Sequence, residues 1–198
     1  MYLISYGTRP ELIKLFPLIN IFKENNIDHK TIFTGQHEDL IKEFENLTHR
    51  PDFVLEKTMK HKQSINSLIY KIINESQKII NSYDCKVIIQ GDAASSFAVA
   101  LSAFNEGKEV IHVEAGLRTH NLRSPFPEEG FRKMISHISN IHFCPTIKSV
   151  ENLKNEGITE NVHLVGNTIV DSCAQIIDKG ESSDYLNELI SSNDDYYL

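Results

Sequence analysis

Cysteine is scarce in this chain of 198 residues: Cys85, Cys144 and Cys173 stand far apart, with no C-x-x-C pair. That excludes a disulfide framework and a paired-cysteine zinc or redox motif, and it suits a reducing compartment. Each cysteine reads as a small buried hydrophobe. Basic charge is also short, with 20 Lys and Arg against 27 Asp and Glu, a net charge of -7. This excludes a general nucleic-acid binder, although it says nothing about any single cleft. Long apolar runs are missing too. None approaches the roughly 20 residues of a membrane-spanning helix, and "MYLISYG" lacks the length and basic start of a secretory signal. The reading is a cytoplasmic protein with neither membrane nor nucleic acid as partner. Glycine, finally, is sparse where a dinucleotide fold needs it. The first strand, "YLISY", enters a turn in which only Gly7 is small, and Arg9, Pro10 and Glu11 follow at once. A soft turn of small residues under a pyrophosphate is excluded; the turn is charged instead, and stiffened by Pro10 at the helix start.

What is present is an alternation of strands and helices. "ELIKLFPLINIFKENN" places Leu12, Leu15, Phe16, Ile19 and Phe22 three or four apart, one apolar helical face, with Pro17 predicting a kink or break. "KTIFTG" reads as a strand, "EDLIKEFEN" as a short helix and "DFVLE" as a strand. "SINSLIYKIINESQKIINSY" is a long amphipathic helix opened by Ser64 as N-cap. "KVIIQ" is an apolar strand ending at Gly91-Asp92, and "SSFAVALSAFNEG" a small-residue helix stopped by Gly107. "EVIHVEAG" is a strand, "LRTHNLRSPFP" a polar loop and "EEGFRKMISHIS" a helix with acids in its first turn. "IHFCP" and "VHLVG" are strands flanking the helix "SVENLKNEG". Unalternated apolar strands separated by helices predict a doubly wound α/β domain, a Rossmann-like parallel sheet covered on both faces. Its expected span is residues 1–166. Residues 167–198 contain a helix, "NTIVDSCAQIID", a linker with a second short helix, and "DDYYL", read as the opening of a strand; they are expected to begin a second domain that the chain does not complete.

In open α/β sheets ligands bind beyond the carboxyl ends of the strands. The sequence places Gly7, Thr8, Arg9, Glu11 and Lys14 after the first strand, and Gly35, Gln36 and His37 after the second. "VIIQGD" delivers Gln90 and Asp92, "VIHVEAGLR" delivers His112, Glu114 and Arg118, and the next loop and helix bring Glu128, Glu129 and Arg132. Each has an ordinary alternative. Arg9 with Glu11 reads equally as a surface ion pair, Asp92 and Glu128 as helix-start acids, and His112 as a packed strand histidine. A carboxylate closing an apolar strand, as Glu114 does, needs water, a base or a substrate. His112-Val113-Glu114 has the H-x-E spacing of zinc deaminases, but their P-C-x-x-C is missing, so no metal is implied.

"GTRPE", "TGQH", "QGD", "HVEAGLRT", "PFPEE" and "VGNT" occur in this order, and over about Tyr6 to Asp171 the chain resembles the UDP-N-acetylglucosamine 2-epimerases. The resemblance implies the first of two doubly wound domains facing a cleft, a glycosyltransferase-B type architecture, in a protein nearly twice this length and dimeric when complete. It implies that Asp92, Glu114 and Glu128 are acid–base carboxylates and that Arg9 and Lys14 face the phosphates or sugar of a UDP-sugar. Gln36 and His37 would lie near the cleft or a neighbouring nucleotide-sugar site, and Arg118 and Arg132 would join in substrate binding. No cofactor is implied. The non-hydrolysing epimerase and the hydrolysing one, which releases UDP and N-acetylmannosamine, share these carboxylates, and both stay open. So does an inactive nucleotide-sugar-binding half, because the 198 residues alone are expected to lack turnover. Two departures stand out. Ala93 follows "QGD" where the family has threonine, and Phe131 precedes Arg132 where it has asparagine. They imply an altered choice of UDP-amino sugar.

Overall fold

The computed structural model describes residues 1–35, 50–55 and 63–178. The expected helix over "EDLIKEFEN", the residues Gln36 and His37, and everything after Asp178 lie outside them.

Seven parallel strands form one sheet: β1 (Tyr2–Tyr6), β2 (His29–Phe33), β3 (Phe53–Val54), β4 (Lys86–Gln90), β5 (Val110–Val113), β6 (Ile141–Cys144) and β7 (Val162–Leu164). Among the described residues the helices are α1 (Arg9–Glu24), α2 (Ile65–Asn81), α3 (Ala94–Asn105), α4 (Glu128–Ile138), α5 (Ile147–Asn155) and α6 (Thr168–Asp178). The strand order is β3-β2-β1-β4-β5-β6-β7. All pairings are parallel, from Tyr2 opposite His29 on one side of β1 to Cys144 opposite Leu164 at the far edge. The order reverses between β1 and β4, and the chain leaves these two strands in opposite directions, opening a crevice at their carboxyl ends.

Strand residues alternate between two apolar layers, as the period of two requires. Leu3, Val87 and Ile89 pack with Leu68, Ile72, Ala98, Ala103 and Ile135 from α2, α3 and α4. Ile4, Tyr6, Ile88 and Ile111 pack with Leu12, Leu15, Ile19 and Phe22 from α1. This is the doubly wound fold that the apolar strands predict. Ser64 caps α2 by accepting from the Ser67 N–H at 3.2 Å, and Gly107 turns away from α3 at φ +68°.

The expected break at Pro17 does not occur, and α1 runs unbroken from Arg9 to Glu24. Proline cannot donate the bond that would reach the carbonyl of Ile13, one turn back. The buried hydroxyl of Ser172, on α6, donates to that carbonyl at 2.5 Å. Asn20 and Gln175 add a second link between the helices at 3.2 Å. Helix α6, which falls in the stretch expected to begin a second domain, is thus packed against α1.

Candidate active site

The "GTRPE" turn is built as a capping box. Thr8 Oγ1 accepts from the Glu11 N–H at 3.4 Å, and Glu11 Oε2 accepts from the N–H groups of Thr8 and Gly7 at 2.6 and 2.7 Å. This reciprocal arrangement satisfies donors that a helix start leaves open. Glu11 Oε1 meets the Ser96 hydroxyl, which also lies 2.7 Å from the Gln90 carbonyl. Burial raises the Glu11 carboxyl above its ordinary range, against the pull of the hydrogen bonds from Ser96, Gly7 and Thr8. Gly7 is required by contact: a Cβ there would sit 2.1 Å from Thr34 Oγ1 and 2.9 Å from Ser95 Cβ. Glu11 is therefore a strut that ties α1 to the start of α3, and the spacing T-x-x-E is the signal that marks it in the sequence. Arg9 opens α1 on its exposed side.

Glu114, directly after β5, has φ +65°, a left-handed conformation costly for a residue with a side chain and concentrated at functional sites. Its carboxylate is held from three directions. Lys14 Nζ lies 2.8 and 2.7 Å from its two oxygens, Gln90 Nε2 donates to Oε2 at 2.5 Å, and Asn167 Nδ2 donates to Oε1 at 3.1 Å. Lys14, expected against phosphate, is thus engaged by a carboxylate within the protein. Sequence reasoning placed Gln90 at the edge without a role and left Asn167 out, although it lies in the "VGNT" motif.

Two residues beyond Gln90, Asp92 accepts from Arg132 Nε at 2.6 Å, and Arg132 also reaches Glu129 at 3.2 Å. Glu129 is fully buried and accepts from the N–H groups of Thr119 and His120 at 3.0 and 3.1 Å. Burial pushes its carboxyl up, but the bonds from Thr119, Arg132 and His120 prevail and hold it below the ordinary range. Glu129 thus secures the loop before α4. The carboxylate of its neighbour Glu128, half-buried at the first position of α4, makes no hydrogen bond or ion pair among the described residues. The i, i+4 spacing puts Glu128 on the helix face of Arg132. The turn after β4 therefore joins two carboxylate groups, Glu114 through Gln90 and Asp92 with Arg132 and Glu128.

Arg118 does not join them. Its side chain is fully buried, bound to Glu156 at 2.9 and 2.7 Å, to Ser136 at 2.9 Å and to the Leu117 carbonyl at 2.8 Å. Arg118, expected as a substrate contact, is thus committed to Glu156, Ser136 and Leu117 within the fold. The Arg118 bond, aided by Lys133, holds the Glu156 carboxyl down at about 2. His112 is likewise structural: Nε2 lies 2.8 Å from the Gly91 carbonyl, and burial pushes the imidazole down to about 3. Of the two departures from the family pattern, only Phe131 has a local explanation. Ala93 is the N-cap of α3 and makes no capping bond, and Phe131 stacks on Phe97 with centroids 4.9 Å apart, in the core between α3 and α4. Phe131 thus gives no ground for an altered sugar. Among the described residues no group of three or more His, Cys, Asp or Glu could hold a metal ion, and no helix is long and apolar enough to cross a membrane.

A family described as UDP-N-acetylglucosamine 2-epimerase matches residues 20–198. The UDP-N-acetylglucosamine 2-epimerase of Campylobacter jejuni is 36% identical over 181 residues, covering 89% of this chain and 47% of the relative. That of Escherichia coli K12 is 33% identical over 195 residues, covering 96% and 52%. Among solved structures, the Neisseria meningitidis enzyme bound to UDP-GlcNAc superposes with a TM-score of 0.84 at 36% identity, over 90% of this chain and 50% of that one. The Methanocaldococcus jannaschii enzyme in complex with UDP-GlcNAc and UDP gives 0.86 at 36%, over 97% and 54%. The chain spans about half the length of the curated relatives it matches.

Proposed function

Because the chain belongs to the UDP-N-acetylglucosamine 2-epimerase family, we propose that its crevice carries the acid–base half of a non-hydrolysing epimerase acting on UDP-N-acetylglucosamine. The observation that carries the reading is the pair of carboxylate groups joined by the β4 turn: Glu114 with Lys14, and Asp92 with Arg132 beside Glu128. Inverting carbon 2 of the sugar is difficult because no neighbouring carbonyl acidifies its proton. Breaking the carbon 1–oxygen bond releases UDP, and transfer of the carbon 2 proton to a carboxylate leaves a carbon 1–carbon 2 double bond. Return of a proton to the opposite face, with UDP re-added at carbon 1, gives the N-acetylmannosamine epimer. Proton removal and return on two faces call for at least two carboxylates in different surroundings, and Asp92, Glu114 and Glu128 come from three separate segments. The leaving diphosphate calls for fixed positive charge. Arg9 at the start of α1 supplies it beside the helix N-terminus, and Lys14 joins if substrate draws it from Glu114. Arg132, held by Asp92, is the further candidate for the sugar, and for Gln36 and His37 the family resemblance alone suggests a role near the cleft or a neighbouring nucleotide-sugar site.

The test is turnover of UDP-N-acetylglucosamine in deuterated water. Deuterium at carbon 2 of a UDP-linked epimer is the expected result, whereas protium retained there overturns the mechanism. Free N-acetylmannosamine with UDP would assign the hydrolysing branch instead. Turnover is expected of a chain extended to the relatives' length and not of residues 1–198 alone. The family reading also carries a cytoplasmic homodimer, which sedimentation of the full chain and cell fractionation test.

A further inference from the structure

Asn167 stands at the junction of β7 and α6 and spends both ends of its amide. Oδ1 accepts from the Ile169 N–H at 3.1 Å, and Nδ2 donates to Glu114 Oε1 at 3.1 Å. The partners fix the orientation of the amide, since a flip would set oxygen against a carboxylate and NH2 against an N–H. Lys14 contacts both Glu114 oxygens but is a rotatable point charge on a flexible stem, which does not define a plane. Gln90 on Oε2 and Asn167 on Oε1 hold one oxygen each. Asn167 is itself held in place, because the Ser172 hydroxyl fastens α6 to the Ile13 carbonyl, one residue before Lys14.

We propose that Asn167 is a positioning residue for Glu114, fixing the plane of its carboxylate from the docked α6; this rests on reading Glu114 as an acid–base group. A purely structural role would be that of a helix N-cap. Asn, Asp and Ser serve about equally well as caps, so a cap alone tolerates either replacement. A positioning role does not. Aspartate would turn a carboxylate oxygen toward Glu114, and serine, though able to cap, is too short to reach it.

The experiment compares wild type, Asn167→Asp and Asn167→Ser in the full chain, by thermal melting, carbon 2 exchange kinetics and pH–rate profiles. Both variants are expected to melt within about 2 °C of wild type. Their kcat should fall about 10- to 100-fold, the worth of a hydrogen bond to a charged group, with KM changed by less than about threefold. In Asn167→Asp the acid limb of the profile should also move to higher pH. Either variant retaining kcat within about twofold, or losing it only in proportion to lost folded protein, overturns the assignment. Should Asn167→Asp fail to fold, Asn167→Ser decides alone. A wild type without carbon 2 exchange overturns the functional reading, and the assignment with it; an active wild type with an indifferent variant overturns the assignment only.

Discussion

Neighbouring glutamates at the start of α4 do opposite things. Glu129 is buried against two backbone N–H groups and Arg132, while Glu128 is half-buried with its carboxylate unengaged. The chemistry of one is committed to the fold, and that of the other remains available. Glu128→Gln in the full chain is therefore expected to lower turnover by about 100-fold or more with an unchanged melting temperature. Glu129→Gln places an amide group where a carboxylate serves three donors, and should cost about 1–3 kcal/mol of stability. Parallel melting and exchange assays separate the two, and equal loss of stability in both variants would contradict the division. Glu114 shows the same economy differently, since its left-handed backbone is held by bonds that also aim its carboxylate.

Helix α1 is continuous because another helix supplies what proline removes. The Ile13 carbonyl, deprived of its usual donor by Pro17, is met by Ser172, so the docking of α6 is tied to a local defect in α1. Ser172→Ala should cost about 1–2 kcal/mol by leaving that carbonyl unsatisfied. In a Pro17→Ala background the restored N–H reaches Ile13, and the same change should cost less than half as much. A double-mutant cycle measured by chemical denaturation checks this, and equal costs in both backgrounds would refute it. The α3 start shows the converse case, an N-cap without a capping side chain at Ala93.

Across the whole molecule, buried titratable groups set an acid limit. An imidazole in the unfolded chain takes up its proton near pH 6.5, while His112, buried and bonded to the Gly91 carbonyl, is held down to about 3. His142, also buried, is shifted the same way. Between these values the unfolded state binds more protons, so stability falls as pH falls from about 6.5 toward 3. Glu156 adds a second loss below about 4.5, its unfolded value, because Arg118 holds the folded carboxyl near 2. Denaturation midpoints are expected to be level between about pH 7 and 8 and to decline through pH 6 and 5. His112→Gln should flatten the decline between pH 6.5 and 5; an equally steep slope in that variant would assign the effect elsewhere.

Local pattern was enough to determine the alternation of strands and helices, the Ser64 cap, the Gly107 stop and the gathering of carboxylates at one sheet edge. Apolar periodicity and cap chemistry act over three or four residues, and a parallel sheet puts every strand's carboxyl end on the same side. The T-x-x-E spacing carries the capping box of Glu11, read above as an ion pair with Arg9, whereas the tie to Ser96 is tertiary. What pairs with what was decided by the tertiary structure. Lys14 meets Glu114 across 100 residues of chain, Arg118 is buried on Glu156, and Phe131 fills the core against Phe97. The carbonyl that Pro17 leaves open is met by Ser172 arriving from α6. Such outcomes depend on strand order and helix docking, which bring distant segments to hydrogen-bonding range, and no short stretch of sequence carries that information.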